Sequence, residues 1–493
     1  MIRLRRWSAL IVGLTVASAL VAQEKPAAPE KPASPWAVDR TLVVTPQPAP
    51  TPALKYRLLP LTWALKEGNA VPIYLRLVHE QDDAARKYWS ETPLRWNELP
   101  VDKIPLEEAR QFLGKMRYSL QQLELGARRR TAEWNYTLDA GDPIGLLLPD
   151  VQWMRSYAPM LVLQARVALA EGDFARAAHH LQTGFAFSRH MTEGPTLING
   201  LVGIAIARQF AGAVGDFVER PQAPNLYWAI AALPHPLIDL RKEMDWEYGM
   251  LEMVFPELGD LDRERTAEQW DGVLRRVRAE SRRMAESDTE SGRSKLPDWF
   301  PKGTAAEDPA AKSPDLDVAR RYVANSKGLP AARVEAMPPA QVLVLYIVGT
   351  YHETRDDWYR ASYLPFPQAR EYSITANQRL HDAPITEGHV PGRLLLPALD
   401  RVMARQIQLE RTMAALQVVE ALRMYVAAHD GKLPKALDEI GEVPVPLDPG
   451  TGKAFEYRSE EGTATIVGPN NEPQPKGRSA TNGVRYRVSI RKK

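Results

Sequence analysis

Apolar residues recur at helical spacing through most of this chain. Between residues 54 and 283 they fall three or four positions apart, and Pro or Gly interrupts the pattern at intervals. Such spacing is typical of amphipathic helices, and the interruptions mark the loops that join them. The pattern predicts helical hairpins that pack as a multi-helix body over residues 54–283. A second helical segment is predicted over residues 315–397. Residues 284–314, which are polar, are expected to form a linker or long surface loop.

One predicted helix has a recognisable beginning and end. Pro105 precedes two glutamates, an arrangement that suits a first helical turn. The apolar side chains of the helix are Phe112, Met116, Leu120 and Leu123, and it is expected to end at the basic triplet Arg128-Arg129-Arg130. We interpret the triplet as cations that complement the negative end of the helix dipole. A phosphate-binding role is the alternative.

The pattern changes towards the end of the chain. Residues 398–493 begin with a long helical pattern up to about Ala428 and continue with three short apolar stretches, at residues 454–457, 465–467 and 484–490. These stretches alternate or cluster as strands do, so they predict a small antiparallel sheet that packs on the preceding helix. Arginines alternate with the apolar residues of the last stretch, as on the solvated face of an edge strand. The predicted fold class is mainly α, with a small C-terminal α+β unit.

The N-terminal residues have the pattern of an export signal. Three arginines within residues 1–6 precede an apolar run that ends at Ala22. The run has the length of a secretory h-region and is too short for a membrane span. Residues 1–22 are therefore predicted to be a signal peptide, with cleavage before Leu20 or Gln23. Residues 23–53 are rich in Pro, Ala, Lys and Glu, which predicts a flexible, extended spacer.

The composition argues against several classes of function. The 63 basic and 61 acidic residues nearly cancel, so no overall positive field attracts nucleic acid or an anionic membrane. The chain has no cysteine, which excludes disulfides, thiolate metal sites and a cysteine nucleophile. We expect no nucleic-acid partner and no stable membrane span after removal of the signal. The mature protein is expected to be periplasmic or secreted.

One stretch of the predicted helical body has the pattern of a known repeat. Gly172-Asp173-Phe174 is followed by Ala177 and Leu181 at helical spacing. The glycine permits a tight turn between helices, and small residues allow the two helices to approach closely. Residues 158–190 resemble a single tetratricopeptide-type helical hairpin. No second copy in the same register is found, so the resemblance does not extend to a superhelical array.

A second resemblance lies at the C-terminal end. Leu422-Arg423-Met424-Tyr425, Gly431-Lys432-Leu433-Pro434 and Pro446-Leu447-Asp448-Pro449 stand in that order. Residues 414–468 resemble the globular C-terminal part of type II secretion major pseudopilin-like domains, in which a helix, a short helix, a tight turn and an aromatic strand follow one another. The long apolar stem of that family is absent, so the resemblance implies a packing module. The calcium site of the family is not expected here, because Asp448 alone supplies too few oxygen ligands.

One group of candidate catalytic residues lies in the second helical segment. His352 and Asp356 stand four positions apart and would share one face of a helix, with Glu353 beside them. Such a face could bind a metal or relay a proton. His381 and His389 are the further candidate members of this site. A surface helix with ordinary ion pairs explains the same residues, and we favour it. No metal or cofactor is predicted.

The other candidate group lies near residue 245. Glu243 and Glu247 flank Trp246, with Tyr248 beyond. Paired carboxylates next to aromatic rings are what glycoside hydrolysis requires. Acidic residues on a solvated helix with aromatic core neighbours give the same pattern without any function.

Together these observations predict an exported, non-catalytic interaction or scaffold protein of the bacterial cell envelope. Its expected partner is another envelope protein. The alternatives are an envelope-polymer hydrolase, either glycosidase-like or metal-assisted, and a secretion-system accessory protein. Motifs for serine hydrolases, nucleotide hydrolases and dehydrogenases are absent from the sequence.

Overall fold

The computed structural model describes residues 37–79, 91–136, 149–289, 313, 315–382, 386–468 and 483–491. These residues are mainly helical, and a small sheet forms near the C-terminus, which confirms the predicted fold class. The chain divides into two compact units. The described part of the larger unit lies within Pro32–Met250, Ser362–Arg370 and Asp400–Lys493, and that of the smaller unit lies within Leu251–Ala361 and Glu371–Leu399. The predicted signal peptide, residues 1–22, lies outside the described residues.

The first part of the larger unit contains three short strands and nine α-helices within its described residues. In chain order they are β1 (Val38–Val44), β2 (Lys66–Asn69), α1 (Val71–His79), α2 (91–97), α3 (Leu106–Lys115), α4 (Arg117–Ala127), β3 (Arg129–Thr131), α5 (Pro149–Ala170), α6 (Phe174–Met191), α7 (Leu197–Glu219), α8 (Tyr227–Ala231) and α9 (Arg241–Tyr248).

Helices α5, α6 and α7 pack against one another and form the centre of this part. Gly172 turns the chain between α5 and α6 with a φ of 75°, a conformation that glycine adopts without strain. The Asp173 carboxylate then accepts a hydrogen bond from the backbone N–H of Arg176 and caps α6. A Cβ at Gly184 would lie 2.0 Å from the Phe210 ring, so glycine allows α6 and α7 to approach. The hairpin is present; its kinship to tetratricopeptide repeats stays a prediction.

The predicted helix that starts after Pro105 is interrupted. Two helices, α3 and α4, meet at Met116, and the chain then enters β3. The interpretation of the arginine triplet as a helix end is therefore wrong for Arg129 and Arg130, which lie in a strand that pairs with β2. Their side chains donate hydrogen bonds to the backbone oxygen and the carboxylate of Glu67. Pairing of the two strands satisfies backbone groups that a longer helix would have used.

The smaller unit is helical within its described residues. Its elements are α10 (Met250–Val254), α11 (Ala267–Thr289), α12 (Leu316–Lys327), α13 (Ala331–Glu335), α14 (Pro339–Ser362), α15 (Phe366–Asp382) and α16 (Val390–Leu395), and some end residues belong to the larger unit. Because α11 continues to Thr289, the prediction of a linker is wrong for residues 284–289. The rest of that predicted linker lies almost entirely outside the described residues.

The last elements return to the larger unit. They are α17 (Pro397–Ala428), β4 (Glu456–Glu460), β5 (Thr463–Gly468) and β6 (Val484–Ile490). The strands lie in the order β1-β6-β5-β4, with β5 antiparallel to both β4 and β6 and with β1 parallel to β6. The sheet is thus mixed and not purely antiparallel as predicted.

Strand β1 corrects two further predictions. Residues 38–44 belong to the sheet, so the expected flexible spacer is wrong for this stretch. Successive residues of β1 alternate between a more buried and a more exposed face, as the residues of a strand do, and Leu42 and Val44 are fully buried on the inner face. Strand β6 is consequently interior and not an edge. Its Arg487 donates a hydrogen bond of 2.8 Å to the Asp39 carboxylate on β1. The structure therefore joins residues 398–493 to the first part of the larger unit.

Helix α7 is long and apolar enough to cross a membrane by length and composition alone. In this structure 67% of its most apolar window is buried inside the protein. Burial of that extent is typical of a core helix, and α7 packs against α5 and α6 as one.

Candidate functional site

The larger unit contains an open cleft of about 570 Å³, which we call the proline cleft. It is formed by the loop before α9, the start of α15, the first turns of α17 and the turn before β4. Its apolar walls include Pro236, Leu240, Met244, Tyr363, Pro365, Phe366, Pro367, Met403, Ile407, Leu447 and Pro449. A volume of this size is typical of sites that bind small molecules or short peptide segments.

Helix α17 fixes one wall of the proline cleft. Its Glu410 carboxylate accepts a hydrogen bond of 2.8 Å from the backbone N–H of Leu237 and lies 3.4 Å from Nδ1 of His235. One turn earlier, the Gln406 amide donates a hydrogen bond of 2.7 Å to the carbonyl of Ile238. The two side chains bind successive parts of the same loop, so the loop before α9 is held in place on α17.

A buried ion pair fixes the opposite wall. The Asp448 carboxylate accepts hydrogen bonds of 2.8 and 2.9 Å from two guanidinium nitrogens of Arg411, and Asp448 is fully buried. It also accepts a hydrogen bond of 2.9 Å from the backbone N–H of Gly450. Fork-like arginine–carboxylate contacts combine charge with defined geometry. The turn that carries Leu447 and Pro449 is thereby attached to α17.

The charged groups of the proline cleft are paired within the protein. Arg241 donates hydrogen bonds to both carboxylate oxygens of Asp239, which lowers the pKa of Asp239. The hydrogen bond with Glu410 raises the pKa of His235. Apolar groups remain exposed, because Tyr363 and Leu447 keep 67% and 56% of their surfaces accessible. The cleft therefore offers an occupant apolar surface and no strong field.

The predicted group around His352 is not assembled as one metal site. His352 Nε2 lies 2.7 Å from the Glu252 carboxylate on α10, Glu353 accepts a hydrogen bond from Tyr322, and Asp356 contacts Arg355. Each predicted side chain thus has its own neighbour. No group of three or more metal-binding side chains occurs among the described residues.

The two further histidines do not join this group. His389 Nδ1 lies 2.8 Å from the Thr386 hydroxyl and its ring is in edge contact with Tyr346. The side chain of His381 lies outside the described part of the structure.

Glu243 and Glu247, which both belong to α9, lie against the first turn of α7, and Glu243 is fully buried whereas Glu247 is half-buried. Neither carboxyl oxygen of Glu243 is accessible or has a hydrogen-bond partner among the described residues, and burial raises its pKa to about 8. Burial also raises the pKa of Glu247 to about 7, although it accepts a hydrogen bond from the Leu197 backbone N–H. Both carboxyl groups therefore hold a proton more readily than a free glutamate does, and the inaccessible oxygens of Glu243 leave no path for a substrate to reach it.

Sequence reasoning missed the proline cleft, although parts of its signal are visible. Pro365-Phe366-Pro367 and Pro446-Leu447-Asp448-Pro449 each combine rigid prolines with one large apolar residue. Neither motif indicates that the other lies opposite it. Arg411 attaches the second motif to α17, whereas the adjacent Glu410 binds the loop before α9, and neither contact is visible in the sequence.

Comparison with family models, curated proteins and solved structures found no match to this chain. The geometry of the sites is therefore the basis for a functional proposal.

Proposed function

We propose that this chain is exported to the bacterial envelope, as a periplasmic or secreted protein, and acts there as a non-catalytic interaction protein. Its partner is another envelope protein, which inserts an extended apolar segment into the proline cleft. The observation that carries the proposal is the cleft itself, whose walls are apolar and whose charged residues are paired with one another.

The chemistry of the walls favours a peptide segment. Aromatic and methionine side chains are enriched at protein interfaces, and the cleft presents Tyr363, Phe366, Met244 and Met403. Proline walls are rigid, so they lose little conformational freedom when a partner binds. The absence of an unbalanced charge among the cleft contacts described above favours an apolar occupant over a charged one.

The environments of the candidate catalytic residues support a non-catalytic role. Glu243 is buried away from solvent, and His352, Glu353 and Asp356 each contact a different neighbouring side chain. The raised pKa values of Glu243 and Glu247 favour the alternative of an envelope-polymer hydrolase, since a general acid needs such a pKa. The inaccessible oxygens of Glu243 count against that role.

A site-specific crosslinking experiment tests the proposal. A photoreactive phenylalanine analogue replaces Tyr363 at the cleft, or Trp63, which is 82% exposed elsewhere on the larger unit. We expect adducts with one envelope protein from position 363 only, mapped to an extended apolar segment. The recovered protein should lack its first 19 or 22 residues. Adducts at both positions, no adduct at position 363, or an intact Met1 in a cytoplasmic fraction would contradict the proposal.

A binding assay with a peptide then tests whether the proline cleft is the surface that holds the partner. A synthetic peptide with the sequence of the crosslinked segment should bind the purified protein, and Leu447→Asp should weaken binding about tenfold or more, because it places a charge in an apolar contact. Leu125→Asp is the matched control, since Leu125 is a similarly exposed leucine on α4. Equal effects of both substitutions would place the peptide elsewhere.

A further inference from the structure

The loop that leads into β2 presents large apolar side chains to solvent. We call residues 53–65 the tryptophan loop. Trp63 is 82% exposed, and Leu54 and Leu61 in the same loop are also exposed. Single apolar residues scattered over a surface are ordinary, whereas several in one segment mark a surface that contacts something else. A side chain as exposed as Trp63 also contributes little to the core of the protein.

The tryptophan loop is held in place on both sides of Trp63. Before it, the Gln182 side chain on α6 donates a hydrogen bond of 3.0 Å to the carbonyl of Leu59. After it, the backbone N–H of Lys66 donates a hydrogen bond of 2.8 Å to the carbonyl of Arg128, where β2 begins. A single turn of 3-10 helix lies between these two points and carries Trp63. The indole is therefore displayed on an ordered turn, so the backbone loses little conformational freedom when the ring binds.

The charges of the tryptophan loop have one sign. No acidic residue occurs in the sequence from residue 40 to residue 66. The loop itself contains Lys55 and Arg57, and Lys66 follows it directly. The nearly balanced charge of the whole chain therefore conceals an excess of positive charge in this segment.

The small sheet next to the loop adds to that excess. Lys66 on β2 stands opposite Arg129 on β3. The next acidic residue of the chain, Glu67, accepts a hydrogen bond of 2.7 Å from Arg130. The two strands thus bring three basic residues and one acidic residue to the end of the loop that carries the exposed indole.

We propose that the tryptophan loop docks this protein on a lipid bilayer with anionic headgroups, with the Trp63 indole inserted at the bilayer surface and Lys66 beside the headgroups. A tryptophan ring suits that depth because its body is apolar and its N–H is polar. Each lysine or arginine close to an anionic surface strengthens the attraction. Docking of this kind adds a membrane contact to the proposed function and uses none of the residues of the proline cleft.

The chemistry of the loop favours a bilayer over a protein partner. A stable protein interface buries about 800 Å² of each partner in a closely packed contact, whereas a fluid bilayer surface accepts one inserted ring. Binding to a bilayer depends on the buried apolar area together with attraction to anionic lipids. Exposed apolar side chains and basic residues, without an acidic residue in the loop, supply both.

Co-sedimentation with lipid vesicles tests the proposal. The protein recovered from the cell envelope is mixed with vesicles of phosphatidylglycerol and phosphatidylethanolamine, or with vesicles of phosphatidylcholine alone. We expect binding to the anionic vesicles that weakens as salt is added, because salt screens the attraction, and weaker binding to the neutral vesicles. Absence of binding to the anionic vesicles, or equal binding to both kinds, would overturn the proposal.

Two pairs of variants locate the contact. Trp63→Ala should weaken binding to the anionic vesicles about tenfold or more, because it removes the inserted ring. Tyr363→Ala is its matched control, since Tyr363 is a well-exposed aromatic residue of the proline cleft. Lys66→Gln should weaken binding about fivefold and reduce its salt dependence, whereas Lys432→Gln, a change of an exposed lysine after α17, should do neither. Equal effects within either pair would overturn the proposal.

A fluorescent label then reports the contact with the Trp63 ring still present. Because the chain has no cysteine, Thr62→Cys and Lys432→Cys each provide one attachment point for an environment-sensitive dye. Dye at position 62 should shift to shorter wavelength on anionic vesicles and be quenched by brominated lipid, whereas dye at position 432 should not. An unchanged dye at position 62 would overturn the proposal, even if Trp63→Ala failed to fold.

The crosslinking experiment at position 63 distinguishes the two kinds of partner. Protein adducts from that position, combined with no binding to vesicles, would identify a protein partner and overturn the membrane contact. Circular dichroism confirms that each variant is folded. Failure of the membrane contact leaves peptide binding at the proline cleft unaffected, because the two surfaces share no residue.

Discussion

At the scale of single residues, buried ionisable side chains determine how this protein responds to pH. Glu243 is fully buried and its pKa is raised from an ordinary value of 4.5 to about 8. The folded state therefore holds a proton at this site that the unfolded chain releases between those values. Because the unfolded state binds fewer protons in that window, stability falls as the pH rises through it.

Glu243→Gln should remove this dependence. The amide has the shape of the protonated acid and does not ionise, so the variant should match the wild type below pH 4.5 and become more stable than it towards pH 8. The difference should grow by at most about 1.4 kcal/mol per pH unit. Urea unfolding at several pH values measures it. Glu456→Gln, an exposed change on β4, is the control; parallel curves for wild type and Glu243→Gln would refute the assignment.

At the scale of elements, α17 organises the larger unit through buried polar side chains. Glu420 and Arg423 are fully buried and form an ion pair of 2.8 Å. Arg423 also donates hydrogen bonds to the carbonyls of Thr45 and Ala223, which lie in loops distant in sequence. Arg411 donates a hydrogen bond to the Asp448 carboxylate and thereby holds the turn that contains it. The helix thus fixes several loops at once.

Asp448→Asn should open the wall of the proline cleft. The substitution leaves the Arg411 guanidinium buried without its carboxylate, a change that costs about 3 to 5 kcal/mol. Hydrogen exchange should then accelerate in residues 446–455. Asp438→Asn, a change of a nearby exposed aspartate, should have little effect. Because two apolar residues leave no unpaired charge, Arg411→Met with Asp448→Leu should be less destabilising than Asp448→Asn alone. Similar stability of Asp448→Asn and Asp438→Asn would show that Asp448 does not stabilise the buried charge of Arg411.

Helical elements could be predicted from the sequence because their apolar spacing is local. The α5–α6 hairpin and the long α17 follow directly from it. Arg411 and Glu410 could not be identified as buried, because a charged residue on a helix is normally solvated and their partners lie in other segments. Glu243 could be named as a candidate acid from its residue type alone. Its burial could not be predicted, because it results from packing against α7.

At the scale of the whole molecule, β1 joins distant parts of the chain. Residues 38–44 pair with residues 484–490 in parallel register, and Arg40 connects the same strand to α7 through Asp216. The proline-rich composition around β1 concealed this strand, since the prolines that dominate the predicted spacer lie on either side of it.

Leu42→Ala tests that connection. Leu42 is fully buried, so its truncation should cost about 2 to 5 kcal/mol, and hydrogen exchange should accelerate in both β1 and β6. Val43→Ala is the matched control, because Val43 is 41% exposed on the other face of the strand; it should cost less than about 1 kcal/mol. Unchanged protection of residues 484–490 in Leu42→Ala would show that β6 does not depend on β1.

The pairing of β1 with β6 also sets the order of events in biogenesis. Asp39 and Arg487, which contact each other, are 448 positions apart, so β1 leaves the ribosome long before its partner strand exists. Until then its backbone groups have no neighbour in the sheet, and closing so long a loop is slow. The sheet is therefore completed only after β6 has been synthesised. A chain exported as we propose would cross the membrane before its sheet is closed, in the unfolded form that a general secretory channel accepts.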